Sequence, residues 1–279
     1  MPRYNERKIQ GATDVKIWTL LENTRQAEAF TAEHGLSLYI ETGRRRILLD
    51  TGQTGAFAAN AAALGVDLAA VDTAVLSHGH YDHGGGLERF LALNRTASLY
   101  LSRHAFEAHY HGPEKYIGLD PALQRHAGRF VYVADAAVSL GDSLKLVPAA
   151  GLEQRYPARA GGLQVMENGV LQPEDFRHEI YLLAEENGRR VLFSGCSHKG
   201  VRNLLDWFRP DVFVGGFHCT GLDPASSGAQ ELAGMAAAMQ RSDAVFYTGH
   251  CTGQAAYEYF KQRLGPRLHR LSTGRMFTL

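Results

Sequence analysis

The chain has 279 residues, of which 45% are hydrophobic and 21% are charged, the balance of a globular protein. Its 29 Lys and Arg residues equal its 29 Asp and Glu residues, so nucleic acid is not expected as the main partner, because phosphate binding usually needs a basic surface. No apolar run approaches the ~20 residues of a membrane span, and the N-terminal segment MPRYNERKIQ lacks the apolar core of a signal peptide. Three cysteines without regular spacing do not indicate a disulfide framework, so we expect a cytoplasmic protein.

Short strands and helices follow one another along the chain. Strands are expected where Val, Ile, Leu, Tyr and Phe are dense, at residues 15–20, 36–41, 46–49, 73–76, 98–101, 130–133, 144–147, 180–184, 190–193, 212–215, 244–247, 268–271 and 276–278. Helices are expected at residues 55–64, 86–93, 105–110, 200–208, 229–239 and 255–264. Asn187 and Gly188 stand between two of these strands and are typical of a type I′ hairpin turn.

Hairpins mixed with single helices predict an α+β fold, in which two mixed β-sheets carry helices on their outer faces. Neither a repeat nor a linker is visible, so we expect a single domain over residues 1–279. Segment 103–128 differs from its surroundings because it is polar and contains His104, His109, His111 and His126. We expect this segment to be an insertion or a lid rather than core.

The stretch SHGHYDHGGGL crowds metal-ligand side chains at the end of a predicted strand. Residues two apart on an extended chain point to the same side, so His78 and His80 can reach one metal ion together. Asp82 and His83 follow where the chain turns and can face a neighbouring point. Such a set suits Zn²⁺, Fe²⁺ or Mn²⁺, and the three glycines behind it let the backbone turn and pass close to the site. The alternative is a solvated, histidine-rich loop.

At this point the sequence resembles the metallo-β-lactamase superfamily, because HGHYDH matches its HxHxDH signature. ILLDTG with Asp50 resembles the first motif of the superfamily, and VFYTGHCTG with His250 resembles its last ligand motif. AEHGLSLYIET, SHGHYDHGGGL, SGCSHKGVRNLL, GGFH and GHCTG, in that order, are similar to one branch. That branch is labelled 7,8-dihydropterin-6-yl-methyl-4-(β-D-ribofuranosyl)aminobenzene 5′-phosphate synthase-like hydrolases.

The resemblance implies an αββα sandwich with two metals at one end of the sheets. His78 and His80 would bind the first metal. Asp82 and His83 would bind the second, together with His250. Asp50 would orient a ligand imidazole by accepting its other ring proton, although an ordinary turn aspartate before a helix is the alternative.

The chain departs from the superfamily pattern in two places. Cys196, in LFSGCSH, holds the position of the bridging aspartate and is a candidate metal ligand. The third histidine of the first metal is not evident. His178 is one candidate, with a surface or core histidine as the alternative. His198 is the other candidate, as ligand or proton carrier, since an extended stretch would put it on the same side as Cys196.

Further residues are expected to line the pocket. His218 follows two glycines at a strand end and is interpreted as a substrate contact or general acid, against a structural histidine. Glu33 and His34 precede a strand and match the branch pattern. The candidate catalytic residues are thus Asp82, His198 and His218. Cys219 and Cys251 are expected to be small buried fillers.

These residues predict a metal-dependent hydrolase. A bound zinc-type ion lowers the pKa of its water from ~15.7 to about 7 and supplies a hydroxide nucleophile at neutral pH. We expect one or two divalent ions, zinc first, with iron and manganese as alternatives. Suitable substrates are small esters, phosphodiesters, thioesters, lactones or amides, and the resemblance implies a phosphorylated, pterin-related compound.

Two other functions stay open. One is a non-haem iron redox enzyme on the same fold, and the other is a metal-binding or ligand-binding sensor without turnover. The complete set of motif ligands argues against the sensor. The expected partner is a small-molecule substrate, with neither nucleic acid nor membrane, and the sequence leaves a homo-oligomer open.

Overall fold

The computed structural model describes residues 14–141, 143–226 and 228–279. Every predicted strand is confirmed, with small shifts at its ends. The strands are β1 (Lys16–Leu21), β2 (Ser37–Glu41), β3 (Arg46–Leu49), β4 (Thr73–Val75), β5 (Ser98–Ser102), β6 (His109–His111), β7 (Lys115–Tyr116), β8 (Phe130–Val133), β9 (Val138–Gly141), β10 (Leu144–Pro148), β11 (Leu163–Glu167), β12 (Val170–Pro173), β13 (Ile180–Glu186), β14 (Arg189–Phe193), β15 (Val212–Val214), β16 (Val245–Thr248), β17 (Leu268–Arg270) and β18 (Met276–Thr278).

The α-helices confirm all but one of the predicted helices. They are α1 (Ala56–Ala63), α2 (Tyr81–Gly84), α3 (Leu87–Leu93), α4 (Val201–Phe208), α5 (Ala229–Arg241) and α6 (Gln254–Leu264). Short 3₁₀ segments occur at Leu68–Ala70, Pro121–Arg129, His250–Thr252 and Gly265–Arg267. In the part of the chain that the structure describes, no helix combines the length and apolar character needed to cross a bilayer.

Two seven-stranded sheets form the centre of the fold. Their strand orders are β18-β1-β2-β3-β4-β5-β8 and β17-β16-β15-β14-β13-β10-β9. Buried aliphatic residues of both sheets pack against each other between them, among them Ile40, Leu49, Leu146, Leu182 and Val214. Helices α1 and α3 cover the outer face of the first sheet, and α4, α5 and α6 cover that of the second. This confirms the predicted αββα sandwich.

The hairpin between β13 and β14 turns at the predicted residues. Asn187 and Gly188 have φ angles of 54° and 73°. A type I′ turn requires φ above zero at both central positions, so the Asn-Gly pair determines this turn locally.

A third sheet was not anticipated, and the helix expected at 105–110 is wrong. Strands β12, β11, β6 and β7 form a separate four-stranded sheet, and β6 lies where that helix was expected. His109 of β6 pairs with Val165 of β11, and its side chain is buried. A helix of six residues is marginally stable without tertiary support, so the strand pairing with β11 is favoured over it. Strands β6 and β7 of segment 103–128 thus join this third sheet, and the role of the segment as a lid stays a prediction.

Parallel pairing gathers the motif residues at one edge of the sandwich. Strands β3, β4 and β5 run parallel in the first sheet, and β14, β15 and β16 run parallel in the second. The carboxyl ends of parallel strands lie at the same edge of a sheet. Asp50 follows β3, Ser77 and His78 follow β4, and the loops after β14, β15 and β16 carry the remaining motifs.

Candidate metal centre

Strained backbone marks the loops at this edge. Asp50, Ser197, His218 and His250 have φ angles of 60°, 59°, 48° and 47°. A residue with a Cβ atom pays roughly 1–2 kcal/mol for the left-handed region, and such strain concentrates at functional sites. Each of these residues stands just after a parallel strand, so the strain lies where the ligand motifs converge.

The three glycines after the HGHYDH motif let other parts of the chain pass close to their backbone. None of them adopts the left-handed conformation that would also favour glycine. A Cβ atom on Gly85 would lie 2.1 Å from the carbonyl oxygen of Gln53, and one on Gly86 would lie 2.4 Å from that of Thr51. A Cβ on Gly84 would lie 2.3 Å from the side chain of Leu119. The glycines therefore let α2, which carries Asp82 and His83, pack directly on the loop that follows Asp50.

The donor atoms of the second predicted metal position, from Asp82, His83 and His250, lie close together, with the sulfur of Cys196 next to His83. Nε2 of His83 lies 3.2 Å from Nε2 of His250, 3.2 Å from Sγ of Cys196 and 4.0 Å from Oδ2 of Asp82. Nε2 of His250 lies 3.2 Å from the same Asp82 oxygen. A tetrahedral zinc ion with bonds of ~2.0–2.3 Å separates its ligand atoms by roughly 3.3–3.7 Å. The three contacts of 3.2 Å are close to that spacing, and the contact of 4.0 Å between His83 and Asp82 is longer.

Hydrogen bonds at Nδ1 fix the orientation of the His83 and His250 rings, so that their Nε2 atoms face each other. Nδ1 of His83 contacts Oδ2 of Asp50 at 2.6 Å, and Nδ1 of His250 contacts Oδ1 of Asn23 at 2.9 Å. Both acceptors are oxygens, so each ring places its proton on Nδ1 and leaves Nε2 free to bind a cation. Two facing lone pairs 3.2 Å apart repel unless a cation or a proton lies between them.

The charges around His83 also indicate a site for a cation. Burial alone would lower the pKa of His83, but Asp50 and Asp82 outweigh it and raise that pKa to about 9. Burial would raise the pKa of Asp82, but His83 and the hydrogen bonds from His250 and His34 hold it well below its usual range. The pocket therefore favours positive charge, which a proton on His83 supplies when no metal does.

The first predicted metal position has three histidine donors. Nε2 of His78 lies 3.3 Å from Nε2 of His198, and a ring nitrogen of His80 lies within 4.8 Å of both. Nδ1 of His78 contacts Oγ of Ser77 at 2.8 Å, and that hydroxyl donates to Asp50. Nε2 of His80 is buried without a hydrogen-bond partner in the described chain. Three imidazoles with an unpaired nitrogen among them fit a zinc-type ion.

Cys196 lies between the two positions. Donor atoms of His78, His83 and Cys196 all lie within 4.8 Å of one another. The thiol is buried, and burial raises its pKa, so without a cation the sulfur keeps its proton. A bound metal would reverse this, because a coordinating thiol is deprotonated. The sulfur is thus placed where it would be available as a ligand at either position.

Asp50 organises both groups from behind. Its carboxylate accepts the backbone N–H of Ser77 at 2.7 Å and the hydroxyl of Ser77 at 2.6 Å, besides the contact with His83. The side chain is fully buried. A carboxylate held by three donors orients the imidazoles of His78 and His83 at once, whereas the resemblance implied this for one ligand imidazole.

His178 lies beside the first position, and its donor atom, with those of His80, His109 and Glu174, forms a further group in which all lie within 4.8 Å of one another. Gly79 donates its backbone N–H to Nδ1 of His178 at 2.9 Å, which leaves the ring proton on Nε2. The ring stacks on His109 at 4.0 Å, and Nδ1 of His109 contacts Glu174 at 2.6 Å. His178 therefore supports the HGH loop, while His198 lies beside both His78 and His80, so both histidines stay candidates for the third ligand. His109 and Glu174 escaped sequence reasoning because strand pairing alone brings them together.

Glu33 and His34, which are adjacent in AEHG, have different surroundings in the structure. Nε2 of His34 lies 3.1 Å from Oδ2 of Asp82, and this hydrogen bond raises the pKa of His34. His34 also lines the cavity above the donor atoms. Glu33, in contrast, accepts both the backbone N–H and the hydroxyl of Thr54 at 2.8 Å. Glu33 thus holds the chain that leads into α1 instead of lining the cavity.

A cavity of about 240 Å³ opens above the donor atoms. Its lining includes Asp82, Cys196, His198 and His218, together with His111, Lys115 and Ile117 from segment 103–128. His218 turns its ring toward His198, with centroids 4.2 Å apart, and Nδ1 of each ring is buried without a partner in the described chain. Both imidazoles can therefore exchange a proton with a ligand in the cavity.

The two remaining cysteines differ in their surroundings. Cys219 packs against the carbonyl of Phe217 and Sδ of Met235, as expected of a buried filler. Cys251 lines the cavity, and its sulfur accepts the backbone N–H of His218 at 3.2 Å. Its sulfur also lies within 4.8 Å of donor atoms of Cys196 and His250. Cys251 is therefore part of the site, which the sequence analysis did not expect.

Comparison with known proteins agrees with this geometry. The sequence profile described as the metallo-beta-lactamase superfamily matches residues 30–250. The chain is 26% identical over 211 residues to the uncharacterized protein MJ0448 of Methanocaldococcus jannaschii, covering 74% of this chain and 80% of that protein. It is 24% identical to the 7,8-dihydropterin-6-methyl-4-(beta-D-ribofuranosyl)-aminobenzene-5′-phosphate synthase of the same organism, covering 94% and 96% of the two chains.

Among solved structures, the fold is similar to that of Tm1679, which is described as a metal-dependent hydrolase of the beta-lactamase superfamily. The TM-score is 0.81 at 27% sequence identity, with 95% of this chain and 99% of that chain covered. The profile spans most of the chain, and the structural likeness extends over nearly all of it. The chain therefore belongs to the metallo-β-lactamase superfamily.

Proposed function

We propose that this protein is a metal-dependent hydrolase that cleaves a small phosphorylated or pterin-related substrate at an ester, phosphodiester, thioester or lactone bond. The observation that carries the proposal is the pair of donor groups on either side of Cys196, at the floor of a cavity of about 240 Å³. Members of the superfamily are mostly metal-dependent hydrolases. The pterin-related substrate class is supported by the printed name of the methanogen synthase.

The donor set favours zinc, with iron as the alternative. Imidazole nitrogens and a thiolate suit these ions, whereas manganese and magnesium prefer oxygen ligands. His78, His80 and His198 would hold one ion, and Asp82, His83 and His250 the other, with Cys196 between them. Such ions, when bound, lower the pKa of water and neutralise charge on the attacking and leaving oxygens.

The residues that line the cavity have distinct tasks in this proposal. Oδ2 of Asp82 contacts His34 at 3.1 Å and His250 at 3.2 Å, so it fixes both rings at the cavity floor. Nδ1 of His218 has no partner in the described chain and is the candidate proton donor for the leaving group. Residues of segment 103–128 roof the same cavity, and we propose that this segment helps to select the substrate within a single domain.

The test is a hydrolysis screen with zinc-loaded protein on phosphodiester, thioester, lactone and carboxylic ester substrates. We expect turnover of at least one class, and its loss in His83→Ala and after chelation. Cys219→Ser is the matched control, because that buried thiol lies away from the donors, and it should retain full turnover. Absence of turnover with every class, in protein shown to contain zinc, would contradict the proposal. Iron found in protein purified without added metal, with a visible absorption band, would favour redox chemistry instead.

A further inference from the structure

A second and larger cavity, of about 500 Å³, adjoins the one above the metal donors. The loop around Tyr156, the start of α4 and one face of α5 form its walls. Arg159, His198 and His218 line both cavities. A ligand that reaches the metal donors can therefore extend into this second space.

Unpaired polar atoms concentrate around this second cavity. Arg159, His198, Arg202 and His218 each have a buried side-chain nitrogen without a hydrogen-bond partner in the described chain. All four residues line the cavity. Buried donors without an acceptor are costly and rare in folded proteins, so this concentration indicates a ligand that supplies acceptors.

Arg202 is held firmly without a counter-ion. Its guanidinium stacks on the ring of Tyr156 at 3.6 Å, and no carboxylate of the described residues lies within ion-pair distance. Gly234 of α5 makes room for it, since a Cβ there would lie 3.3 Å from Nη1. A fixed planar cation with free N–H donors is suited to bind a phosphate or carboxylate group.

Arg159 is only loosely paired. Its Nε lies 3.6 Å from Oε2 of Glu231, too far for a hydrogen bond, and both side chains are partly exposed. Nη2 contacts the backbone carbonyl of His218 at the long distance of 3.5 Å. The guanidinium therefore keeps donors available beside His218, where the two cavities meet.

Hydrogen bonds within the protein hold the loop around Tyr156 in place before any ligand binds. Asn203 of α4 accepts the backbone N–H groups of Arg155 and Tyr156, and it donates to the carbonyls of Tyr156 and Lys199. This network ties the loop to α4 and so positions the ring on which Arg202 stacks. A site built before the ligand arrives binds with a smaller entropy cost.

We propose that this cavity is a subsite for an anionic group, phosphate or carboxylate, on the part of the substrate that is not cleaved. Arg159 and Arg202 bind the anion, and His198 and His218 lie between it and the scissile bond over the metal donors. The inference rests on the proposed function for the direction of the substrate. Beyond that function, the subsite requires a negatively charged group on the substrate, which Arg159 and Arg202 bind.

Binding of phenylphosphonate and of benzoate to the zinc-loaded protein, measured by titration calorimetry, tests the subsite. Neither probe has a hydrolysable bond. Arg159→Met and Arg202→Met should each raise the dissociation constant of the preferred anion about tenfold or more, because charge-assisted hydrogen bonds are lost. Arg263→Met is the matched control, since Arg263 is exposed, stacks on the ring of Tyr259 and lines neither cavity, and its dissociation constant should stay within about twofold.

The two probes and a conservative variant make the outcome decisive. Stronger binding of phenylphosphonate identifies the anion as phosphate, and stronger binding of benzoate identifies it as carboxylate. Arg202→Lys retains the charge and should keep part of the affinity, which guards against loss of folding as the cause. Equal affinity in wild type, Arg159→Met and Arg202→Met, at unchanged zinc content, would show that the anion binds at the metals alone and would overturn the subsite. Binding without hydrolysis of any substrate would contradict the proposed function and leave the subsite standing.

Discussion

The sulfur of Cys196 lies 3.2 Å from Nε2 of His83, in the buried floor of the site. The other nitrogen of His83 contacts Asp50 at 2.6 Å, so Nε2 is the nitrogen that faces the sulfur. Without a metal, this contact is that of a thiol with a protonated imidazole, because Asp50 and Asp82 outweigh burial and raise the pKa of His83 to about 9. With a metal, both atoms would serve as ligands of one ion, because their spacing is close to a tetrahedral edge.

Sulfur ligation gives a direct spectroscopic prediction. X-ray absorption of the zinc-loaded protein should show a metal–sulfur shell near ~2.3 Å, which disappears in Cys196→Ser. Cys219→Ser should leave the shell intact, because its thiol packs against Phe217 and Met235. A spectrum with nitrogen and oxygen neighbours alone would remove Cys196 from the ligand set. A shell that persists in Cys196→Ser but not in Cys251→Ser would assign the sulfur to Cys251.

Metal binding should release protons in a countable way. In the metal-free protein the pKa of His83 is raised to about 9, and burial raises that of Cys196, so both groups carry a proton at pH 7.5. Ligands must lose these protons to bind, so zinc affinity should rise with pH through about 9 and beyond it, with about two protons released per chain near pH 7.5. Calorimetry in buffers of different ionisation enthalpy measures the number. Cys196→Ser should release about one proton fewer, and equal release in both proteins would contradict thiolate ligation.

Loss of a ligand from the centre of the donor group should lower metal content. His83→Ala removes the atom that lies 3.2 Å from both His250 and Cys196, so elemental analysis should find about one metal equivalent less per chain. His80→Ala combined with His83→Ala should lower the content further. His126→Ala is the control, because that side chain pairs with Glu88 at the surface. Unchanged metal content in the double variant would refute the ligand assignment.

Asp50→Asn tests the residue behind the ligands. The amide keeps the shape but loses the charge that holds Nδ1 of His83 and the hydroxyl of Ser77. Zinc affinity should fall by about 10–100-fold, the usual cost of losing a partner that orients a ligand. Asp67→Asn is a matched control, because Asp67 only accepts from Ala69 at the start of a 3₁₀ turn. A competition assay with a chelator of known affinity measures the difference, and equal affinities would show that Asp50 serves folding alone.

Segment 103–128 should affect substrate choice more than metal binding. His111→Ala and Lys115→Ala remove two of its side chains from the cavity above the donors. The ratio of activities toward two substrate classes should change severalfold, while metal content stays the same. His104→Ala provides the comparison, since His104 pairs with Glu107 and does not line that cavity. If these variants lose metal while the ratio of activities stays the same, the segment has a structural role and does not select the substrate.

Most of the secondary structure could be predicted from the sequence because it depends on local patterns. Dense β-branched and aromatic residues located every strand of the first large sheet and every strand but β9 of the second, and Asn187-Gly188 located one hairpin. Residues 105–110 show where local patterns fail. His109 enters a strand because β11 pairs with it and Glu174 binds its ring, and both partners are more than fifty residues away along the chain.

The same division holds for the site. His78, His80, Asp82 and His83 lie within six residues, so backbone geometry alone determined that they converge, and the sequence was sufficient to find them. The place of His198 beside His78, the place of Cys251 in the cavity and the second cavity with Arg159 and Arg202 depended on tertiary structure. These residues are distant in the chain and meet only because two sheets, packed face to face, end their parallel strands at one edge. Spacing along a sequence carries no record of distances that arise from the packing of one sheet against another.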